Sequence, residues 1–156
     1  MNDQRFLGLS AGYLGEYLAK IRASVSGLSD DQLWWRPNEA SNSVGNLLLH
    51  LSGNLSEWLL ASVGGLAFER QRDREFSARG GRGKADLLGG LEEVVASSQK
   101  VLRGLPAAAL AERRRIRGGD VDTLEAVYHA VEHMSYHTGQ IALVTKQLLG
   151  KDLALE

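Results

Sequence analysis

The sequence predicts an all-α protein, a single four-helix bundle with a long crossover connection between its second and third helices. Three observations support this fold. Apolar residues recur at three- and four-residue steps in four segments of helical length, as one buried helix face requires. No segment shows the apolar and polar alternation of a strand. The middle connection covers about twenty residues, which is long enough for helices two and three to run parallel.

The first helix is predicted from Asp3 to about Ser26. Its apolar stripe consists of Phe6, Leu9, Tyr13, Tyr17, Ile21, Val25 and Leu28. A turn segment follows, from Ser29 to Asn42, because Pro37 prevents a continuing helix. Trp34 and Trp35 lie in this segment, and adjacent tryptophans in a loop cover the end of a core more often than they bind a ligand.

The second helix can be capped by Ser41 or Ser43, is predicted to run to about Val63 and contains His50. The segment after it, from Gly64 to Gly83, mixes arginines, glycines and acids without helical periodicity. We therefore expect this segment to be a long crossover loop.

The third helix is predicted over residues 85–103. An arginine-rich connection follows it, with Arg113, Arg114, Arg115, Arg117, Gly118 and Gly119. The fourth helix begins after Asp122, because Glu125 stands three positions later, as in a capping box. This helix is predicted to continue to Leu149, where Gly150 can close it.

Composition limits both the domain count and the kinds of site. At 156 residues, 44% hydrophobic and 24% charged, the chain fits one domain over residues 1–156. With a net charge of -1 and with acids and bases interspersed, the chain has no overall electrostatic field that would attract it to nucleic acid or to an anionic membrane. The absence of cysteine excludes disulfides, thiolate ligands and cysteine nucleophiles. No apolar run approaches the roughly 20 residues that span a bilayer, so we expect no membrane association and a cytoplasmic location.

Three of the four histidines, His129, His133 and His137, lie at four-residue intervals in the predicted fourth helix. Residues four apart on a helix differ by about 40 degrees in direction and about 6 Å in height, so either adjacent pair can converge on one ion. His129 and His137 are about 12 Å apart along the helix axis, so the three histidines cannot all bind the same ion. A third ligand must come from another helix, and His50 is the histidine that remains.

A line of polar residues, Asn46, His50, Asn54 and Glu57, runs along the predicted second helix. Such a line can orient a metal ligand, because metal-bound imidazole usually donates its other N–H to a nearby acceptor. Glu57 and Glu132 are candidates for that acceptor or for a general base. The alternative is that the polar line is a solvent-exposed flank of the helix.

Two sequence strings carry a family resemblance, WWRPNEASNSVGNLLLHLSGNLSEW at 34–58 and VYHAVEHMSYHTGQI at 127–141. Both resemble the DinB-like superfamily of four-helix, metal-dependent enzymes. The similarity extends over nearly the whole chain, including the string DREFS at 73–77 and the order of four helices with a long middle crossover.

In that family a histidine of the second helix and a His-x-x-x-His pair of the fourth hold a divalent metal, commonly zinc or nickel. Those positions match His50, His133 and His137. Iron and manganese also accept imidazole ligands. The resemblance leaves His129 as an outer residue, for which ligand support, a pocket wall and plain packing are all open roles.

Further residues near the implied site are Asn54, which can support a ligand, and Tyr136 and Gln140, either of which can touch a substrate. Tyr136 can equally be a packed aromatic. Three imidazoles leave at least one coordination position open, as in catalytic sites, and a metal there can activate water or a small thiol. The resemblance implies a hydrolase or a thiol-dependent transferase, a small-molecule substrate such as a low-molecular-weight thiol, and a homodimer.

Two alternatives do not involve catalysis. The metal could fasten the second and fourth helices together in a scaffold or dimerisation domain, although structural zinc sites normally have four protein ligands. The arginine-rich connections could instead bind nucleic acid, but aromatics are not interleaved with the arginines, and Asp73, Glu75 and Glu112 dilute the positive charge. We therefore predict a metal-dependent enzyme.

Overall fold

A computed structural model describes residues 2–155, so the first and last residues of the predicted domain lie outside it. The elements in chain order are α1 (Asn2–Val25), α2 (Asp30–Leu33), α3 (Val44–Leu55) continued by a π-helix (Ser56–Val63), α4 (Arg72–Ser77), α5 (Lys84–Gly104), a 3-10 helix (Ala107–Ala111), β1 (Arg113–Ile116), β2 (Gly119–Asp122) and α6 (Thr123–Leu149). The predicted four-helix bundle with its crossover is confirmed. Each of α1 and α3 packs against both α5 and α6, so the two helices that carry the four histidines are neighbours.

The core is aliphatic and draws on all four long helices, with Leu14, Leu51, Leu91 and Met134 among its fully buried side chains. Burying one such side chain contributes roughly 1.5–3 kcal/mol. Trp34 packs against this core, as predicted for a residue that covers its end. None of the described helices is long and apolar enough to cross a membrane.

Local capping chemistry sets the ends of the two helices that carry the histidines. Ser43 begins α3: its hydroxyl accepts from the backbone N–H of Asn46 at 3.1 Å, and the Asn46 side chain accepts in return from the Ser43 backbone. The Asp122 carboxylate accepts from the Glu125 N–H at 2.7 Å at the start of α6. Gly150 closes α6 with a φ of 61°, in the left-handed region that favours glycine.

Two segments that were predicted as irregular contain short helices. The turn segment includes α2, and a capping box formed by Ser29 and Gln32 caps the start of this helix. The crossover segment, residues 64–83, includes α4, which packs against α3. The prediction of a loop was wrong there because helices of four and six residues are too short to show periodicity, and packing rather than propensity stabilises them.

The second connection forms an antiparallel hairpin, so the expectation that the chain has no strand was wrong. Arg114 pairs with Val121 across the two strands. Arg117 and Gly118 make the two-residue turn with φ values of 52° and 82°, as a type I′ hairpin turn requires. Ile116 is the one buried side chain among the four residues of β1. A strand this short, with one apolar residue, shows no alternating pattern by which it could be recognised in the sequence.

Candidate metal centre

Three histidines converge between α3 and α6. The Nε2 atoms of His50 and His133 are 3.0 Å apart, although 83 positions of chain separate the two residues. The ring centroids of His133 and His137 are 4.4 Å apart, and those of His50 and His137 are 4.9 Å apart. One possible ligand nitrogen from each residue lies within 4.8 Å of the other two, a group that could hold a metal ion.

The hydrogen bonds of two of these rings leave a nitrogen free for such an ion. The Nδ1 atom of His50 lies 2.9 Å from Oε2 of Glu75, and Nδ1 of His137 lies 2.7 Å from Oε1 of Gln140. Because a carboxylate and an amide oxygen accept, each Nδ1 carries the hydrogen and each Nε2 keeps its lone pair. An imidazole whose outer N–H has an acceptor is typical of metal ligands, so these residues fit the ion.

The third ring, His133, has a different environment. Its Nδ1 is buried and has no hydrogen-bond partner among residues 2–155, while its Nε2 faces that of His50. Two neutral imidazole nitrogens this close are satisfied either by one N–H donating to the other or by a cation between them. This pairing is therefore compatible with a metal-free and with a metal-bound state of the centre.

The rings of His133, His137 and His129 are neutral at physiological pH. Burial, together with the neighbouring His137 and His50, lowers the pKa of His133 to about 3. Burial also lowers the pKa of His137 and of His129. A neutral imidazole offers the lone pair that metal coordination needs, whereas an imidazolium does not.

A buried ion pair lies behind His50. Glu75 on α4 is 8% exposed, and the side chain of Arg70 is 4% exposed. Arg70 donates from Nε to Glu75 Oε1 at 2.7 Å and from Nη1 to Glu57 Oε2 at 2.8 Å. Burial alone would raise the pKa of Glu75, but hydrogen bonds from His50 and Arg70 outweigh it and lower that pKa. Glu75 is therefore a carboxylate at neutral pH.

Neither Arg70 nor Glu75 was predicted as a site residue. The only signal for them in the sequence was the string DREFS at 73–77, which contains Glu75 and belongs to the family resemblance. From the sequence of the crossover segment, an acid that is buried in the fold cannot be distinguished from one that is exposed to solvent. Burial distinguishes them, and burial depends on how the segment docks.

The polar line of α3 faces inward, so the alternative of a solvent-exposed flank does not hold. Asn46, His50 and Asn54 are at most 5% exposed, and Glu57 is half-buried. Glu57 accepts from Arg70 and also from Arg117 of the hairpin turn, at 3.0 Å. These residues connect α3 to the segments that cover it.

His129 belongs to a separate cluster next to the three converging histidines. Its ring packs against that of Trp58, with 4.0 Å between centroids and 39° between the ring planes, and its Nε2 lies 3.4 Å from Nδ2 of Asn54. Its centroid is 5.3 Å from that of His133. The structure therefore places His129 and Asn54 beside the centre, against an aromatic wall.

An open cavity of about 430 Å³ lies against the converging histidines. It is lined by Asn42, His50, Arg72, Phe76, Glu132, His133, Tyr136, His137 and Gln140. Of the residues predicted to support the site or touch a substrate, Glu132, Tyr136 and Gln140 line this cavity, whereas His129 and Glu57 do not. A small molecule in the cavity would be in contact with all three candidate ligands.

Comparison with known proteins agrees with this fold. A conserved protein from Enterococcus faecalis superimposes with a TM-score of 0.77 and 16% identity, covering 92% of this chain and 96% of that one. A DinB-like protein from Bacillus cereus superimposes with a TM-score of 0.69 and 15% identity, covering 86% and 87%. The fold is therefore that of the DinB-like protein. No curated protein matches the chain significantly. The family model described as "Protein of unknown function (DUF1572)" matches residues 3–155, and the chain therefore belongs to this family.

Proposed function

We propose that this protein is a metal-dependent enzyme in which His50, His133 and His137 bind one divalent ion beside the open cavity. The observation that carries the proposal is the convergence of three imidazoles on a cavity wall. Three protein ligands leave a coordination position for solvent or substrate, whereas structural zinc sites normally have four. Zinc or nickel suits an all-imidazole set, and iron or manganese also accepts it.

A divalent ion held there would supply Lewis-acid activation of water or of a small thiol. We therefore propose a hydrolase or a thiol-dependent transferase that acts on a small molecule. A cytoplasmic location suits the second reaction, because cytosolic reducing systems keep thiols reduced. A volume of about 430 Å³ lies within the range of small-molecule sites.

Glu132 is the better placed of the two candidate general bases. It is exposed at the cavity wall, where its carboxylate can take a proton from a bound nucleophile. Glu57 instead accepts hydrogen bonds from the guanidinium groups of Arg70 and Arg117, so its carboxylate is occupied as a structural partner. Tyr136 also lines the cavity and is 59% exposed, so its hydroxyl is free to contact a substrate.

Nucleic-acid binding has little support in the arrangement of the arginines. Arg70 is buried in its ion pairs, and Arg114 donates to Glu112 at 2.7 Å. Arg115 lies 3.5 Å from Asp120. Because nearby acids neutralise these side chains, they do not form the continuous basic surface that phosphate binding requires.

Metal analysis tests the proposed ligands. We expect about one divalent ion per chain in the wild-type protein and loss of that ion in His50→Ala and His137→Ala. Circular dichroism of the variants serves as the control for folding. Retention of stoichiometric metal by both folded variants would contradict the ligand set.

Ligand exchange separates an enzyme from a scaffold. The visible spectrum of the Co²⁺-loaded protein is expected to change when cysteine or another small thiol is added, because an open position faces the cavity. An unchanged spectrum would indicate a closed ion that only fastens α3 to α6, and would contradict the enzyme proposal.

A further inference from the structure

We propose that Glu75, held by Arg70, positions His50 for metal binding, so that docking of the crossover segment onto α3 controls the metal affinity of the centre. This inference rests on the proposed metal site and adds to it two residues that lie outside the ligand set and the cavity. The crossover segment is then a functional part of the centre as well as a connection between helices.

The contacts around His50 select one tautomer. Its Nδ1 is 2.9 Å from Glu75 Oε2 and 3.0 Å from Nη2 of Arg70. The guanidinium can only donate, and its Nη2 already donates to Glu75 Oε2 at 2.8 Å and to the His50 carbonyl at 3.3 Å. The carboxylate therefore receives the Nδ1 hydrogen, and the lone pair of Nε2 is directed at His133.

The position of Glu75 depends on Gly53, which lies three residues after His50 in α3. A Cβ atom at Gly53 would lie 2.1 Å from Oε1 of Glu75 and 3.1 Å from Nε of Arg70. A glycine inside a helix is unfavourable relative to alanine, so this position needs another reason. The close approach of the buried carboxylate to the α3 backbone is such a reason.

The same carboxylate belongs to a segment that docks as a unit. The Asn46 amide donates to the backbone carbonyls of Glu75 at 2.8 Å and Ala78 at 2.9 Å, which holds the C-terminal half of α4 against α3. Arg70, which enters from the preceding loop, bridges Glu75 to Glu57. Displacement of this segment from α3 would remove the acceptor from His50.

Thermodynamic linkage makes the coupling reciprocal. If docking of the crossover segment raises metal affinity by a given factor, metal binding stabilises the docked segment by the same factor. Loss of an outer partner of a metal-bound histidine typically weakens metal binding about 10–100-fold. We expect a coupling of that size between the crossover segment and the ion.

Gly53→Ala tests the inference in the full chain without changing a ligand. We expect Zn²⁺ binding, measured by competition with a chromophoric chelator, to weaken about 10–100-fold. Gly89→Ala is the matched control, because this glycine also lies inside a helix and a Cβ there meets nothing within 4 Å. The control is expected to bind Zn²⁺ as tightly as the wild-type protein.

Glu75→Leu is the second variant, and it keeps the proposal testable if Gly53→Ala does not fold, because leucine has a similar volume and no acceptor for the His50 Nδ1–H. The ¹⁵N spectrum of the metal-free wild-type protein is expected to show His50 protonated at Nδ1, with a changed tautomer population in Glu75→Leu. Hydrogen exchange across α4 is expected to slow when Zn²⁺ is added to the wild-type protein and to slow less in Glu75→Leu. A merely structural role of Glu75 would change neither the tautomer nor the effect of Zn²⁺ on exchange.

Two negative results can be told apart. If a folded Gly53→Ala or Glu75→Leu variant bound Zn²⁺ as tightly as the wild-type protein, the positioning role would be overturned and the metal site would stand. Failure of the wild-type protein to bind Zn²⁺, Ni²⁺, Fe²⁺ or Mn²⁺ would overturn the proposed function itself. The tautomer of His50 in the metal-free protein would still report on Glu75 in that case.

Discussion

The α3–α6 interface has two adjacent layers, one around His133 and His137 and the other around His129. The same four-residue spacing on α6 runs through both layers, but the surroundings of the histidines differ. In one layer, His133 and His137 face His50 across the interface and border the cavity. In the other, His129 faces Asn54 and packs against Trp58. The spacing permits chelation in both layers, and the residue supplied by the opposite helix decides which layer can bind an ion.

The outer nitrogens of the rings show the same contrast. His50 and His137 have a carboxylate and an amide oxygen as acceptors for Nδ1–H. In the His129 layer, the buried Oδ1 of Asn54 and Nε1 of Trp58 have no hydrogen-bond partner within residues 2–155. The first layer therefore contains two rings whose Nδ1–H groups are held so that their Nε2 lone pairs can point to one ion, while Nδ1 of His133 in the same layer has no hydrogen-bond partner within residues 2–155.

The largest expected difference between the layers is in metal affinity. His133→Ala removes a proposed ligand and is expected to weaken Zn²⁺ binding by more than about 100-fold, or about 2.7 kcal/mol. His129→Ala, the matched variant one turn away, is expected to change affinity by less than about threefold, because its ring lies against Trp58. Isothermal titration calorimetry measures both. Equal losses in the two variants would mean that the layers are not distinct.

A smaller effect is expected from the groups that orient the rings. Gln140→Ala removes the acceptor of His137 Nδ1–H and is expected to weaken Zn²⁺ binding about 10-fold. Asn54→Ala alters the His129 layer, and we expect a change of less than about twofold. The comparison uses the same chelator competition for both variants. A stronger effect of Asn54→Ala than of Gln140→Ala would reverse the assignment of supporting residues.

The last expected effect is the acid sensitivity of the metal-free protein. Because burial lowers the pKa of His133 from 6.5 to about 3, the unfolded chain binds more protons than the folded one between these values. The free energy of unfolding therefore falls as the pH falls from about 6.5 toward 3, by at most about 1.4 kcal/mol per pH unit from this group. Urea unfolding at pH 7 and pH 5, with a chelator present, measures the change.

His133→Gln is expected to reduce this dependence on pH, because the substituted side chain takes up no proton. His129→Gln tests the other layer by the same measurement, since burial also lowers the pKa of His129. We expect the larger reduction in His133→Gln, whose ring has two further imidazoles as close neighbours. A pH dependence unchanged by His133→Gln would show that other groups control acid unfolding.

The long helices could be predicted closely from the sequence. α6 was predicted between Asp122 and Gly150 from an N-cap and a closing glycine, and its end residues are Thr123 and Leu149. Such signals act within one helical turn, so they are visible without tertiary information. The hairpin and α4 were missed because their patterns are only four and six residues long.

The candidate site was predictable only in part. Helical spacing restricted the ligands on α6 to two adjacent pairs, and the resemblance to the DinB-like superfamily selected His133 and His137. The convergence with His50 agrees with that selection. The residues behind His50 were not predictable, because Arg70 and Glu75 lie in the crossover segment, whose position relative to α3 has no local signature.

By itself, the sequence determined the long helices, their caps and the restriction of metal ligands to nitrogen and oxygen atoms in a chain without cysteine, since these follow from residue type and short-range spacing. The tertiary structure alone decided which histidines meet, which of them face a cavity and which carboxylate holds His50. Those outcomes depend on contacts between segments far apart in the chain, where burial and distance rather than residue type set the chemistry.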